Sequence, residues 1–249
     1  MYQLLLALLQ LSVRIVTFVC SLRLKLQSCL DVLLQYLWEI LVFIFPARSY
    51  HVGKLPKHLG IAFCEDSIDL ERVTQIVLYG VAAGIRRFSL YDPKSMLFAS
   101  RKSFELMLSD AFSQSDNNLK LCLRAGSEKS GHLPDGDPSD TAVVVSLISC
   151  DLWSASVVSL TKKLSYDALS AQHFPVKPSM ISQLLNDEHG LGEVDCLLKL
   201  GGPDSTCGYP PWCLRVTEIV TGGSHRSFGE LEMVKALEEF SRRDQRFGK

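Results

Sequence analysis

Residues 59–92 read LGIAFCEDSIDLERVTQIVLYGVAAGIRRFSLYD. The stretch opens on a short apolar run, Leu59–Cys64, of a length and composition that predict a buried strand. Asp66 or Ser67 then offers a side-chain oxygen to cap a helix running to about Ala83. Gly84 ends that helix, because glycine enters the left-handed conformation at no steric cost. A second strand is predicted over Arg86–Asp92. Asp92-Pro93 places a good capping residue before a proline, whose fixed φ suits the first helical position, and predicts a helix to about Phe112.

The same alternation continues toward the C-terminus. Leu119–Arg124 is a third predicted strand, and residues 125–140, rich in Gly, Ser, Asp and Pro, are a loop. Ala142–Ser149 (AVVVSLIS) is a continuous apolar run, the pattern of a strand covered on both faces. Asp151 begins a long helix with Trp153, Val157, Leu160 and Leu164 at helical spacing. A helix near 178–188, strands at Cys196–Leu200 and Leu214–Val220, and a final helix to about Arg243 follow. The capping box Ser227-Phe228-Gly229-Glu230 opens that last helix. Strands alternating with helices predict an α/β domain over residues 55–249, a parallel sheet flanked by helices.

Residues 1–46 differ in kind. Met1–Val13 and Ile15–Leu22 carry no charge, and Leu24–Phe45 carries only Lys25, Asp31 and Glu39. Arg23, Gln27, Asp31, Gln35 and Glu39 recur every fourth residue, which draws one narrow polar stripe on an otherwise apolar helix. A spanning helix needs about 20 mainly apolar residues, and each block reaches that length only by tolerating its charges. The expected reading is a retained membrane-anchoring helical segment over 1–46, spanning the bilayer or lying in its interface. Core helices of a bundle and a cleaved signal peptide are the competing readings; the first three residues lack the positive start of a signal peptide. Pro46 stops the helix. Arg48, His51, Lys54 and Lys57 make the linker, residues 47–54, and the residues just after it basic, which favours the cytosolic side for the following domain.

Composition excludes several classes. The 26 Lys and Arg against 27 Asp and Glu give a net charge of −1, so nothing points to nucleic acid. The eight cysteines form no CxxC pair, and reduced, mostly buried thiols are expected in a reducing compartment. The six histidines show no ligand spacing and are expected at surfaces and caps. No GxSxG, Walker or GxGxxG pattern occurs.

Three segments taken together resemble the cis-prenyltransferase family: Lys57-His58-Leu59-Gly60-Ile61-Ala62, Ala83–Tyr91 (AGIRRFSLY), and Asp195–Val220 (DCLLKLGGPDSTCGYPPWCLRVTEIV). With the ending Arg246-Phe247-Gly248-Lys249, the set is similar to the Nogo-B receptor-type branch of that family. The resemblance implies successive condensation of isopentenyl diphosphate onto an allylic diphosphate with Mg²⁺, in service of dolichol synthesis and protein glycosylation. Catalytic members carry an Asp-Gly-Asn after the first strand; the matching positions here are Cys64, Glu65 and Asp66, so the metal-binding Asp is missing. They also carry Arg-x-Gly-Gly and Arg-x-Ser. Here the frame reads Lys199-Leu200-Gly201-Gly202 and Ser205-Thr206-Cys207, and Lys199 lacks the bidentate fork of an Arg. Trp212 and Glu218 match family positions, Glu218 at a metal-site residue.

The resemblance therefore implies an accessory subunit, inactive alone, paired with a catalytic cis-prenyltransferase subunit around the later helices and strands. Its tail, through Arg246 and Gly248, would cross into the partner's site and bind diphosphate. Membrane lipid is the implied neighbour and the endoplasmic reticulum membrane the implied location, with the domain on the cytosolic side. The alternative is a receptor or scaffold that reuses the fold to bind protein or lipid.

Overall fold

Five consecutive residues, Leu59–Phe63, are buried without exception and form β1. β1 is hydrogen-bonded on both edges, to β2 (Arg87–Tyr91) on one side and β6 (Cys196–Leu200) on the other, with Leu59 opposite both Phe88 and Cys196. A strand so enclosed has no solvent-facing side, hence its lack of polar residues. The computed structural model describes residues 53–114, 119–126, 128–130, 142–170 and 175–243. The anchoring helices expected over 1–46 lie outside the described residues, as does the C-terminal ending 244–249. Among the described residues no helix is long and apolar enough to cross a membrane.

The sheet has seven strands in the order β4-β3-β5-β2-β1-β6-β7. The remaining strands are β3 (Lys120–Ala125), β4 (Glu128–Ser130), β5 (Ala142–Ile148) and β7 (Glu218–Gly222). Six strands are parallel, and β4 alone is antiparallel, folding back on β3. The helices are α1 (Leu70–Ala82), α2 (Met96–Ala99), α3 (Arg101–Gln114), α4 (Cys150–Ser170), α5 (Pro178–His189) and α6 (Glu230–Ser241).

Alternation along the strands separates two cores. Phe63, Phe88, Leu90, Val145 and Leu198 face α1, α3 and α6, meeting Val77, Phe104, Leu108, Leu237 and Phe240 in the larger one. Ala62, Tyr91, Ile148 and Leu197 face α4 and α5, meeting Leu160, Leu185, Tyr209 and Cys213 in the smaller. The second face also buries Ser89, Arg124, Ser146 and Lys199, so it is the polar side of the sheet.

Several predicted boundaries move. The cap of α1 is Asp69, not Asp66 or Ser67: its carboxylate accepts the amides of Glu71 and Arg72. The helix predicted from Asp92-Pro93 is two pieces, α2 and α3. Asp92 accepts the amides of Met96 and Leu97 across an intervening turn, and Ser100 breaks the run as the C-cap of α2. The predicted loop 125–140 contains β4. The strand predicted over Leu214–Val220 starts at Glu218, because Pro210-Pro211 leads into a 3₁₀ turn over Pro211–Cys213. The N-cap shifts to Gly229, whose amide donates to Glu232 Oε2 at 3.0 Å, half of a capping box because glycine has no side chain to return the bond; Ser227 lies in the preceding 3₁₀ turn, His225–Ser227. On α4, Val157 faces out rather than joining Trp153, Leu160 and Leu164.

His58 pins the start of β1. Its Nδ1 lies 2.7 Å from the Glu193 carbonyl oxygen and its Nε2 2.7 Å from Ser89 Oγ. A neutral ring donates through Nδ1–H and accepts at Nε2. Burial strips hydration from the charged form, Arg87 adds like-charge repulsion, and the Glu193 carbonyl opposes both only in part, so the ring is pushed down from 6.5 to about 3. Between those values the unfolded chain binds a proton that the folded chain refuses, and stability falls as pH falls through the window. The expected share of His58 is up to about 1.4 kcal/mol per pH unit. Denaturant titrations of wild type and His58→Gln between about pH 7 and about pH 4 measure it as a difference in slope; parallel slopes would reject it.

Candidate functional site

The connection after β1 passes over the first face through α1. The connection after β6, residues 201–217, passes over the second, where Tyr209 and Cys213 are buried. Open α/β sheets form ligand crevices outside the carboxyl ends of the strands where the winding reverses in this way. Here that place receives Cys64-Glu65-Asp66 from β1 and the Lys199–Gly202 segment from β6.

The two segments touch through backbone. Cys64 N–H donates to the Leu200 carbonyl at 2.7 Å. Gly201 has φ of 109°, and a Cβ there would lie 2.6 Å from the Cys64 carbonyl oxygen. Only glycine meets both conditions.

The charged residues of the crevice are committed to partners within the chain. Glu65 Oε1 accepts the His225 amide at 2.7 Å and Oε2 accepts Ser224 Oγ at 3.0 Å. His225 is fully buried, with Nδ1 2.9 Å from Glu65 Oε1 though out of hydrogen-bond alignment. The amide of Asp69 donates to His225 Nε2 at 3.0 Å, which leaves the proton of a neutral ring on Nδ1, facing the carboxylate. Partial burial works against the Glu65 charge, but the bonds from His225 and Ser224 outweigh it and hold the carboxyl below its usual value. Asp66 is fully exposed and pairs with Lys94 Nζ at 2.7 Å; that bond and the adjacent charge lower its carboxyl.

Lys199 is buried to 4% exposure on the polar face of β6. Its Nζ donates to the Pro203 carbonyl at 2.5 Å and lies 3.9 Å from the exposed carboxylate of Asp204. The ammonium is therefore folded into its own turn. Ser205, at the second Arg position of the family frame, accepts the Cys207 amide at 3.2 Å and shapes that turn. Cys64 is buried, and burial first, then the neighbouring Cys207 thiol, push its thiol up to about 12.

Glu218 lies elsewhere. It begins β7, opposite Cys196 at the amino end of β6, whereas the crevice is at the carboxyl end. Four residues at about 3.3 Å each separate the two levels. Its Oε2 accepts Arg243 Nη1 at 3.2 Å, and Arg243 also donates to the Ile219 carbonyl. The bond from Glu218 raises the Arg243 guanidinium further. The pair fastens the end of α6 to β7. Among the described residues no three His, Cys, Asp or Glu gather as a metal site. Trp212 Nε1 donates to Ser182 Oγ at 3.0 Å, tying the 3₁₀ turn to α5. Arg246 and Gly248 lie outside the described residues.

The expectation that the histidines lie at surfaces fails at His58 and His225, both buried. Neither has a sequence neighbour that announces it: His225 meets residues 65 and 69 only in the fold.

Comparison with known proteins bears out the sequence resemblance. No family model matches the chain. It is 26% identical over 202 residues to the dehydrodolichyl diphosphate synthase complex subunit Nus1 of Mus musculus, covering 79% of this chain and 67% of that protein. It is 25% identical over 209 residues to the NUS1 subunit of Homo sapiens, covering 82% and 70%. Among solved structures it matches lavandulyl diphosphate synthase from Lavandula x intermedia, in complex with dimethylallyl diphosphate, with a TM-score of 0.54 at 13% identity, over 78% of this chain and 99% of that one. It matches a probable undecaprenyl diphosphate synthase from Campylobacter jejuni with a TM-score of 0.54 at 17% identity, over 79% and 100%. The fold is that of the cis-prenyltransferases.

The Gly201 contact is testable against its neighbour. Gly201→Ala combines a strained φ with a backbone clash and is expected to cost about 3 kcal/mol. Gly202→Ala meets nothing within 4 Å and should stay within about 0.5 kcal/mol of wild type. Chemical denaturation of both variants reads the difference, and equal stabilities would refute the contact.

Proposed function

We propose that this chain is the accessory subunit of a heteromeric cis-prenyltransferase that makes long-chain polyprenyl diphosphate, the dehydrodolichyl diphosphate of dolichol synthesis. One observation carries the reading. The crevice keeps the fold's geometry, but its chemistry is closed: a buried thiol stands at Cys64 where catalytic members have Asp, and Lys199 is folded into its own turn. Such a crevice offers two diphosphates neither a free carboxylate nor an open cation. The similarity to subunits of a dehydrodolichyl diphosphate synthase complex supports the same reading.

The carboxylates at the positions the resemblance points to do not fit Mg²⁺. Glu65 is taken by Ser224 and His225, Asp66 by Lys94 and Glu218 by Arg243. The ion, and the condensation of isopentenyl diphosphate with the allylic diphosphate, belong in this reading to the catalytic partner. This chain lends its tail. Arg246 donates charge-assisted bonds to diphosphate oxygens, and the amide near Gly248 approaches the same anion unobstructed by a side chain. Residues 1–46 hold the complex at the endoplasmic reticulum membrane, with the domain on the cytosolic side, where a greasy product passes directly into lipid.

Docking has a surface to use. α4 exposes Val157, Val158 and Leu169 on its outer side, Leu169 at 84% exposure, with Thr161, Lys162 and Ser165 on the same helix beside them. The edge strand β7 exposes Ile219. Contiguous apolar surface of this kind favours burial against a partner.

Three outcomes are expected. The chain alone should not transfer prenyl groups from radiolabelled isopentenyl diphosphate, whereas a mixture with its catalytic subunit should. Arg246→Ala should lower turnover of the mixture at least about tenfold while gel filtration shows the pair intact; unchanged kinetics would sink the tail model. Val158→Asp with Leu169→Asp should weaken co-purification of the partner while chemical denaturation shows the monomer's stability within about 1 kcal/mol of wild type. Undiminished pairing would move the interface away from α4.

A further inference from the structure

Three cysteines surround the carboxyl-end crevice. Cys64 follows β1, Cys150 opens α4 just after β5, and Cys207 sits in the turn after β6. All three act on the Tyr91 hydroxyl, which burial first and their charges next push up to about 12; that hydroxyl donates to the Cys207 carbonyl at 2.8 Å.

Two of the thiols converge. Cys64 Sγ lies 4.0 Å from the Ser205 carbonyl oxygen, and Cys207 Sγ lies 3.8 Å from the same oxygen. Cys207 is also among the groups that push the Cys64 thiol up. The turn aims Cys207 there under strain: its φ is 51°, in the left-handed region that non-glycine residues rarely occupy, and Gly208 beside it has φ of 84°. Such a conformation persists only where its surroundings enforce it. Here the Cys207 amide is held by Ser205 Oγ and its carbonyl by Tyr91. Cys207 is half-buried and reachable; Cys64 is 7% exposed. The accessory-subunit reading assigns no chemistry to either sulfur.

We propose that Cys64 and Cys207 form a reversible modification site, a thiol pair that a hydroperoxide oxidises to an intramolecular disulfide pinning the 203–208 turn to the end of β1.

The chemistry balances. The Cys207 thiolate attacks the peroxide; an S–O bond forms, the O–O bond breaks, and the departing hydroxide takes a proton to become water. Cys207 is then a sulfenic acid. The Cys64 sulfur attacks it; the S–S bond forms, the S–O bond breaks, and the proton from Cys64 leaves with the hydroxide as a second water. The sulfurs lose two electrons in all and the peroxide gains two. Burial makes Cys64 a poor first nucleophile, so Cys207 reacts first and Cys64 resolves it. The Lys199 ammonium favours the developing charge on Cys64. A thiol reductant reverses the bond.

The test is peptide mapping. The purified full chain is treated with hydrogen peroxide, its free thiols are alkylated, and it is digested without reduction. One linked peptide joining residues 64 and 207 is expected, lighter than its two parts by two hydrogens and lost on adding reductant. The thermal midpoint of the wild type should rise on oxidation and return on reduction, and Cys207→Ser, a substitution on the half-exposed turn, should abolish both responses. Over-oxidation of Cys207 with no link to Cys64, a link from Cys207 to Cys150 instead, or an undiminished midpoint shift in Cys207→Ser would overturn the proposal.

Discussion

β1 is enclosed on four sides, by hydrogen bonds along both edges and by a core against each face. That enclosure dictates what surrounds it. The residues toward α4 and α5 must be small: a Cβ on Gly60 would lie 2.9 Å from the Tyr209 hydroxyl and 3.0 Å from Leu197. The residues toward α1 and α6 must be large and apolar, and Leu59, Ile61 and Phe63 are. Because the connections after β1 and β6 run over opposite faces, the chain can leave β1 only into the crevice between them. The position of the candidate site thus follows from the burial of one strand.

The crevice's carboxylate at Glu65 is held by bonds within the chain. In a diphosphate-binding site, carboxylates hold a metal and cations stand open to the anion. Here Glu65 instead joins the end of β1 to the connection between β7 and α6 through Ser224 and buried His225. The Asp69 amide, at the cap of α1, completes the same network from the other side. Each charge meets an internal partner, which avoids the large cost of burying it alone. Exposed apolar side chains lie on α4, at Val157, Val158 and Leu169, and at Ile219 on the β7 edge, among others.

The two faces of the sheet divide these duties. The larger core is almost wholly apolar and gives the domain its stability. The smaller one interleaves Ser89, Arg124, Ser146 and Lys199 with Tyr91, Tyr209 and Leu197, and its polar groups fix the positions of the segments that close over it. His58 holds residues 193–195 through the Glu193 carbonyl, and its amide is bonded to Asp195 Oδ2 at 2.9 Å. Arg124 holds the end of α5 through the Asp187 carbonyl at 3.0 Å. The converging thiols of Cys64 and Cys207 belong to this polar side.

Strand and helix identities were legible locally, because burial imprints its period on a few consecutive residues: LGIAF, AVVVSLI and CLLKL each announce a strand. The departure at Cys64 from the pattern that the resemblance implies was legible too, since it needs only the residue itself. Element ends were less so. Asp66, Ser67 and Asp69 all offer capping oxygens, and the choice of Asp69 depends on where α1 meets His225. Pro210-Pro211 delayed β7 because a turn, not a run of apolar residues, filled the space over the second core. The pairings of Glu65 with His225 and Glu218 with Arg243, and the approach of Cys64 and Cys207 to the same Ser205 carbonyl, had no local sign. The sequence by itself determined the alternation of strands and helices and the residue types at Cys64, Lys199 and Ser205. Only the tertiary structure decided that Lys199 is closed, that Glu218 lies at the far end of the strands, and that two cysteines meet, because each depends on contacts between chain segments brought together by the winding of the sheet.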